Sequence, residues 1–261
     1  MEALNIFWSN AKWRLKNPQI IVMTIIQPLL WLVLFTSQFK GIAMDNNIDM
    51  NYTAFALPGI LVLLILSSAG MSGIYNYSWR EKGIFLKVYI APIKRISMLI
   101  GHILDSLVIS LIEIAVLYLI SLAFDVHIKT GVVGAFIILL TLVLTHFFVA
   151  SISYVLSLKI KDENSFIAVI NTCMIPLFFA SSALVSVDMM PTLLKMIVKV
   201  NPFTYSIDLM RSLIIQNQIE WSLVGKTYIL LIILCCFFGF MATRKLFSLT
   251  QKRNFQFEPN K

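Results

Sequence analysis

Charged side chains are scarce in this sequence. Only 13% of its 261 residues are Asp, Glu, Lys or Arg, against 59% that are hydrophobic, and the mean hydropathy is +0.85. A water-soluble domain of this size needs roughly a quarter of its residues charged to cover its surface. No stretch here is polar enough to form one, so a single membrane domain over residues 1–261 is the reading that composition allows.

Other shortages exclude other chemistry. The three cysteines, Cys173, Cys235 and Cys236, all lie inside apolar runs. They read as small hydrophobes, without a disulfide framework or metal-ligand spacing. Three scattered histidines and no His-Glu-x-x-His leave a membrane-embedded hydrolase without a centre, and no metal is expected. A P-loop is missing too: Gly225-Lys226-Thr227 resembles its end, but Glu220 stands where the first glycine belongs and no strand precedes it. The first 17 residues lack the short apolar core and small-residue cleavage site of a signal peptide.

What the chain has is length of apolar run. A spanning helix needs about 20 mostly apolar residues to cross a hydrocarbon core of about 30 Å. Six segments qualify: Ile20–Phe39, Ala54–Ile74, Ile96–Phe124, Gly131–Leu156, Phe166–Val187 and Leu223–Ala242. The fifth contains Pro176, and its outer end is the least defined boundary.

The net charge of +8 raises nucleic acid as a partner, but the basic residues sit between apolar runs and are better read as orientation signals. One side collects fifteen Lys and Arg: Lys12, Arg14 and Lys16; Arg80, Lys82, Lys87, Lys94 and Arg95; Lys159 and Lys161; and Arg244, Lys245, Lys252, Arg253 and Lys261. The other side has six: Lys40, Lys129, Lys195, Lys199, Arg211 and Lys226. Both termini are therefore expected in the cytoplasm, as an even number of spans requires.

Residues 1–17 place Leu4, Phe7, Trp8, Ala11 and Leu15 on one helical face and Asn5, Ser9, Lys12 and Lys16 on the other. This predicts a helix lying in the cytoplasmic interface. Residues 188–221, between the fifth and sixth spans, alternate apolar patches with single charges and are broken at Asn201-Pro202. Two helices too short to span are expected there, lying at the outer face or dipping into it.

Two further stretches carry a resemblance. One is Trp79-Arg80-Glu81-Lys82-Gly83-Ile84-Phe85-Leu86-Lys87 with Ala91-Pro92 and Gly101. The other is Asn201-Pro202-Phe203-Thr204-Tyr205-Ser206-Ile207-Asp208-Leu209-Met210-Arg211, and Leu57-Pro58-Gly59-Ile60 opens the second span. In order, spacing and membrane side these resemble the ABC-2 type permeases, those of the daunorubicin-resistance kind above all, over essentially the whole chain. The resemblance implies an all-α polytopic membrane protein with six transmembrane helices, acting as the transmembrane subunit of an exporter. It implies a coupling helix within the cytoplasmic loop 76–95, an outer motif before the last span, and a cytoplasmic tail over 244–261.

It also implies partners: a separate ATPase subunit, in two copies and binding the ATP and Mg, and a second permease subunit, identical or a paralogue. Arg80, Glu81, Gly83, Phe85, Leu86 and Pro92 fall at the implied ATPase contact. The alternative for that loop is a set of charges that fix topology and bind anionic lipid. The implied cargo is an amphipathic or hydrophobic compound such as a drug, antibiotic or lipid. Polysaccharide or lipid-linked glycan export is the alternative, and an ion-coupled secondary transporter is opposed by the lack of matched broken helices.

Ionisable groups at membrane depth complete the candidates. On the third span His102 and Glu113 lie about 20° apart around the helix, and Asp105 and Glu113 about 80° apart. Asp105 and Glu113 either line the path or bond neighbouring helices, and His102 and Asp105 are spaced to pair. His146 and Asn171 read as interhelical hydrogen-bonding groups. The run Ser67-Ser68-Ala69-Gly70-Met71-Ser72-Gly73 permits close helix approach, for a dimer contact or for internal packing. Asn201, Pro202 and Tyr205 belong to the outer motif, in which Asp208 and Arg211 form a local pair that orients the outer helix.

Overall fold

In the computed structural model the described residues are 26–27, 29–34, 36–37, 51–77, 95–187 and 190–254, with side chains described except at 95, 96, 98 and 247–254. All regular structure among them is helical. We label α1 Tyr52–Gly70, α2 Arg95–Leu122, α3 Gly131–Lys159, α4 Glu163–Phe179, α5 Thr192–Val200, α6 Pro202–Ile215 and α7 Trp221–Asn254. Helix α1 continues through a 3-10 turn, Met71–Ile74, to Tyr77. Residues 26–27, 29–34 and 36–37 of the first apolar segment are helical.

Helix α1 is the hub. Asn51 starts it, accepting at Oδ1 from the amides of Thr53 and Ala54 at 3.1 and 3.3 Å. The helix is apolar around its whole circumference, which predicts burial on every side. Every residue from Phe55 to Val62 is buried, and α1 packs against α2, α3, α4 and α6. Helix α7 is the opposite case: Ile229, Ile232, Ile233, Phe237 and Phe240 are exposed along it. Apolar surface on this scale fits a lipid solvent and not water.

Four helices, Tyr52–Tyr77, Leu99–Leu122, Gly131–Lys159 and Trp221–Leu246, are long and apolar enough to cross a membrane. The fifth expected span is corrected. It begins earlier, where Asp162 caps it through the Ser165 amide at 2.7 Å, and it ends at Phe179 instead of Val187. At about 1.5 Å per residue its 17 residues reach about 25 Å, short of a full core. Residues 180–187 leave the helix because their polar groups are claimed by other elements, although their composition stays apolar.

The ends of the bundle sort as the charge pattern requires. At one end the Asn51 Nδ2 donates to the Phe124 carbonyl at 3.0 Å, and Thr130 Oγ1 to the Leu213 carbonyl at 2.8 Å. At the other, Tyr77 Oη donates to the Ile160 carbonyl at 3.0 Å, and Asn76 Nδ2 to Ser157 Oγ at 2.6 Å. Helix α6 starts deep and returns to the first end. Ser206 meets Thr145 midway along α3 at 3.1 Å, and the Phe203 ring lies 5.8 Å from Phe148. From Leu213 back to Pro202 is 11 residues, so Asn201 lies about 16 Å below that end, near mid-depth. Helix α6 is buried between α1, α3 and α7, so it dips fully into the bundle and does not lie on its face.

Candidate functional site

Asn201 sits where two helix ends meet. The last carbonyls of any helix lack partners within it. Asn201 Nδ2 donates to the carbonyls of Leu177 and Ala180 at the end of α4, both at 2.7 Å, while its Oδ1 accepts from the Phe203 amide at 3.0 Å. One side-chain amide thus closes α4 and opens α6, and Pro202 follows at the first helical position, where its missing amide costs nothing. Tyr205 Oη donates to the Lys199 carbonyl at 2.9 Å and holds α5 against this tip.

The expected Asp208–Arg211 pair is present at 3.3 Å, and it does more than orient its own helix. Arg211 Nη2 donates to the Ser182 and Ala183 carbonyls at 2.6 and 3.3 Å, and Nε to the Phe55 carbonyl at 3.1 Å. Ser182 Oγ returns a hydrogen bond to Asp208 Oδ1 at 2.6 Å. Tyr52 Oη donates to the Leu184 carbonyl at 3.1 Å. The 180–187 turn is therefore strapped to α1 and α6 together. Gly59 explains its place in Leu57-Pro58-Gly59-Ile60: a Cβ there would lie 2.8 Å from the Ala183 carbonyl oxygen.

A second polar cluster lies at the opposite end, beside the segment 78–94. Tyr75 Oη donates to Asp105 Oδ2 at 2.7 Å, and its ring stacks on His102 with centroids 5.2 Å apart. Tyr75 thus joins the two third-span residues expected to pair, and ties α2 to the end of α1. The small-residue run serves internal packing. Gly73 N–H donates to Ser153 Oγ at 2.9 Å, and that hydroxyl donates to the Gly70 carbonyl at 2.5 Å. A helix-breaking side chain from α3 is thus inserted where α1 tightens into its 3-10 turn.

His146 acts as an interhelical hub, as expected. Its Nε2 lies 2.9 Å from Ser106 Oγ and its Nδ1 3.1 Å from Ser110 Oγ, which in turn meets Ser68 Oγ at 2.6 Å. Ser106 gives its proton to the Ile103 carbonyl, so a neutral imidazole donates from Nε2 and accepts at Nδ1 from Ser110. Glu113 is buried on α2. Asn171 departs from expectation: it is exposed with Thr172 and Cys173, while Phe166, Ile170, Met174 and Phe178 form the buried seam of α4.

Arg80, Glu81, Gly83, Phe85, Leu86 and Pro92 lie outside the described residues, as do residues 1–17 and the end of the tail. Among the described residues no three His, Cys, Asp or Glu side chains gather as metal ligands. Tyr52, Tyr75 and Ser182 were not singled out by sequence. The only signal was the polar triplet Tyr75-Asn76-Tyr77 closing an apolar run, and the Asn51-Tyr52 pair opening it.

A lipid-facing bundle wrapped around one buried helix, with a short helix dipping to mid-depth, defines a polytopic membrane protein. The model of the ABC-2 type transporter family matches residues 2–215, and the chain belongs to that family. The ycf38 protein of Cyanophora paradoxa, provisionally named a transport permease, is 31% identical over 203 residues, 76% of this chain and 69% of that protein. The ycf38 protein of Porphyra purpurea is 30% identical over 215 residues, 80% and 71% of the two chains. The daunorubicin resistance ABC transporter permease protein DrrB1 of Streptomyces coeruleorubidus is 24% identical over 225 residues, 86% and 76% of the two chains.

Proposed function

We propose that this chain is the membrane-spanning subunit of an ATP-driven exporter in the cytoplasmic membrane, crossing six times with both termini in the cytoplasm. It pairs with a second permease subunit and draws force from a separate ABC ATPase, in two copies, that holds the ATP and Mg. Its cargo is an amphipathic or hydrophobic compound such as a drug, antibiotic or lipid. Family membership and the permease names of the relatives support the class. The sequence carries no P-loop, which supports a separate ATPase chain.

The single observation that carries the mechanism is the placement of α1. Its Tyr77 end adjoins the segment holding Arg80, Glu81, Gly83, Phe85, Leu86 and Pro92, which we assign to the ATPase contact. There Tyr75, Asn76 and Tyr77 fasten it to α2 and to the end of α3. Its other end carries Phe55 and Gly59, against which Arg211 and the 180–187 turn are strapped. A push at one end is delivered to the outer hairpin through one rigid, fully packed element, which is what a two-state transporter needs.

The exposed polar face at Asn171 and Thr172 on α4 is the face we assign to the second subunit and the path, because an amide facing lipid there is costly. Asp105 is assigned to the Tyr75 lock, and Glu113 to the charge that answers the cargo. The test is purification with the native ATPase and cargo-stimulated hydrolysis in vesicles. Glu81→Ala or a Pro92 substitution weakens docking or coupling. Tyr75→Phe leaves docking intact and lowers stimulation, and Glu113→Gln alters cargo range or rate. Wild-type behaviour in every variant, or transport without any nucleotide-binding companion, overturns the reading.

A further inference from the structure

Helix α5 carries three stripes on nine residues. Leu194 and Val198 face the bundle, Val198 fully buried. About 100° further round come Lys195 and Lys199, one turn apart. Leu193, Met196, Ile197 and Val200 complete the circle and are 76%, 65%, 51% and 81% exposed.

The lower end of this helix is pinned by Asn201 and by Tyr205, so Lys199 lies two residues from a point near mid-depth. An ammonium at such depth requires an anion or water within reach of its stem. Among the described residues neither lysine has a carboxylate at ion-pair distance, and Asp208 is already held by Arg211 and Ser182. Beside the two charges lies an apolar strip on the scale of a hydrocarbon chain.

We infer that α5 is a docking strip for an anionic phospholipid of the leaflet at the α5 end of the bundle. The phosphate is held between Lys195 and Lys199, and an acyl chain lies along Leu193, Ile197 and Val200. Charge complementarity selects the head and the adjoining exposed apolar stripe selects the tail, so a free phosphate satisfies only half of the site. The inference rests on the membrane placement and not on any transported cargo, so export can fail while it stands.

The experiment uses the full chain in mixed micelles containing phosphatidylglycerol and phosphatidylethanolamine, with retained lipid read by native mass spectrometry. Wild type is expected to retain phosphatidylglycerol selectively. The K195E/K199E double variant is expected to lose about tenfold or more of it, from two cations near the headgroups at about 1 kcal/mol each plus repulsion. K195R/K199R retains it, and millimolar glycerol phosphate does not displace it. Unchanged retention in a double glutamate variant that keeps wild-type helicity overturns the inference. So does equal retention of both lipids by wild type, displacement by glycerol phosphate, or a lost subunit contact with lipid retention intact.

Discussion

The guanidinium of Arg211 lies 3.7 Å above the centre of the Phe55 ring while its Nε donates to the Phe55 carbonyl 3.1 Å away. Ring and carbonyl of one residue are thus engaged by one side chain from a helix 156 positions later. The planar fork also reaches Asp208, Ser182 and Ala183. A lysine has neither the plane nor the donors to do this.

Arg211→Lys and Arg211→Ala are therefore both expected to loosen the 180–187 turn. The loss is on the order of 2–3 kcal/mol, below the 3–5 kcal/mol of a fully buried pair because Asp208 is partly exposed. Thermal unfolding in detergent reads the difference. A lysine variant as stable as wild type would show the fork to be dispensable.

Asn201 separates two roles by substitution. Asn201→Asp keeps the acceptor for the Phe203 amide but loses both donors to α4 and sets a carboxylate against two carbonyls. Asn201→Ala loses everything at roughly 1 kcal/mol per cap. The aspartate is thus expected to be no better than alanine, the reverse of their order at an ordinary helix start. Amide exchange at Ala180 and Phe203, followed separately, distinguishes the two ends.

Glycine substitutions divide by what a new Cβ would meet. At Gly73 it would stand 2.7 Å from the Ser153 carbonyl oxygen and 2.9 Å from the Phe166 ring, so Gly73→Ala must part α1 from α3, at roughly 1–3 kcal/mol. At Gly225 and Gly239 it would meet nothing within 4 Å, and alanine there is expected to be neutral or up to about 1 kcal/mol stabilising. Equal melting shifts at all three positions would contradict the packing.

Asp162, at the exposed start of α4, gives a pH effect. The Ser165 backbone amide holds its carboxyl below the ordinary carboxylate range. Its capping contribution is then complete above the unfolded value of about 3.9 and is lost as pH falls through the lower folded one. Exchange at the Ser165 amide is expected to quicken in that acid window. It should do so in wild type and not in Asp162→Asn, which caps without titrating. Identical acid profiles would remove Asp162 as the cause.

Much of this molecule was legible beforehand. Apolar runs of spanning length, the fifteen-to-six split of basic residues, the Asn201-Pro202 break and the Asp208–Arg211 pair all follow from patterns a few residues wide. The family was readable from motif order. These features depend on local chemistry: side-chain hydrophobicity, helical spacing and the missing amide of proline.

What only the tertiary structure decided depends on partners far away in the chain. Leu177–Val187 reads as apolar helix throughout, yet α4 stops at Phe179 because Asn201 and Arg211 offer its carbonyls and the following turn better partners than another helical turn. The small-residue run admits either a dimer contact or internal packing until Ser153 is seen bonded into it. Hydropathy counts what a residue prefers to leave, which is water. Which neighbour it then meets is settled by packing at mid-depth, where each unpaired polar group costs several kcal/mol.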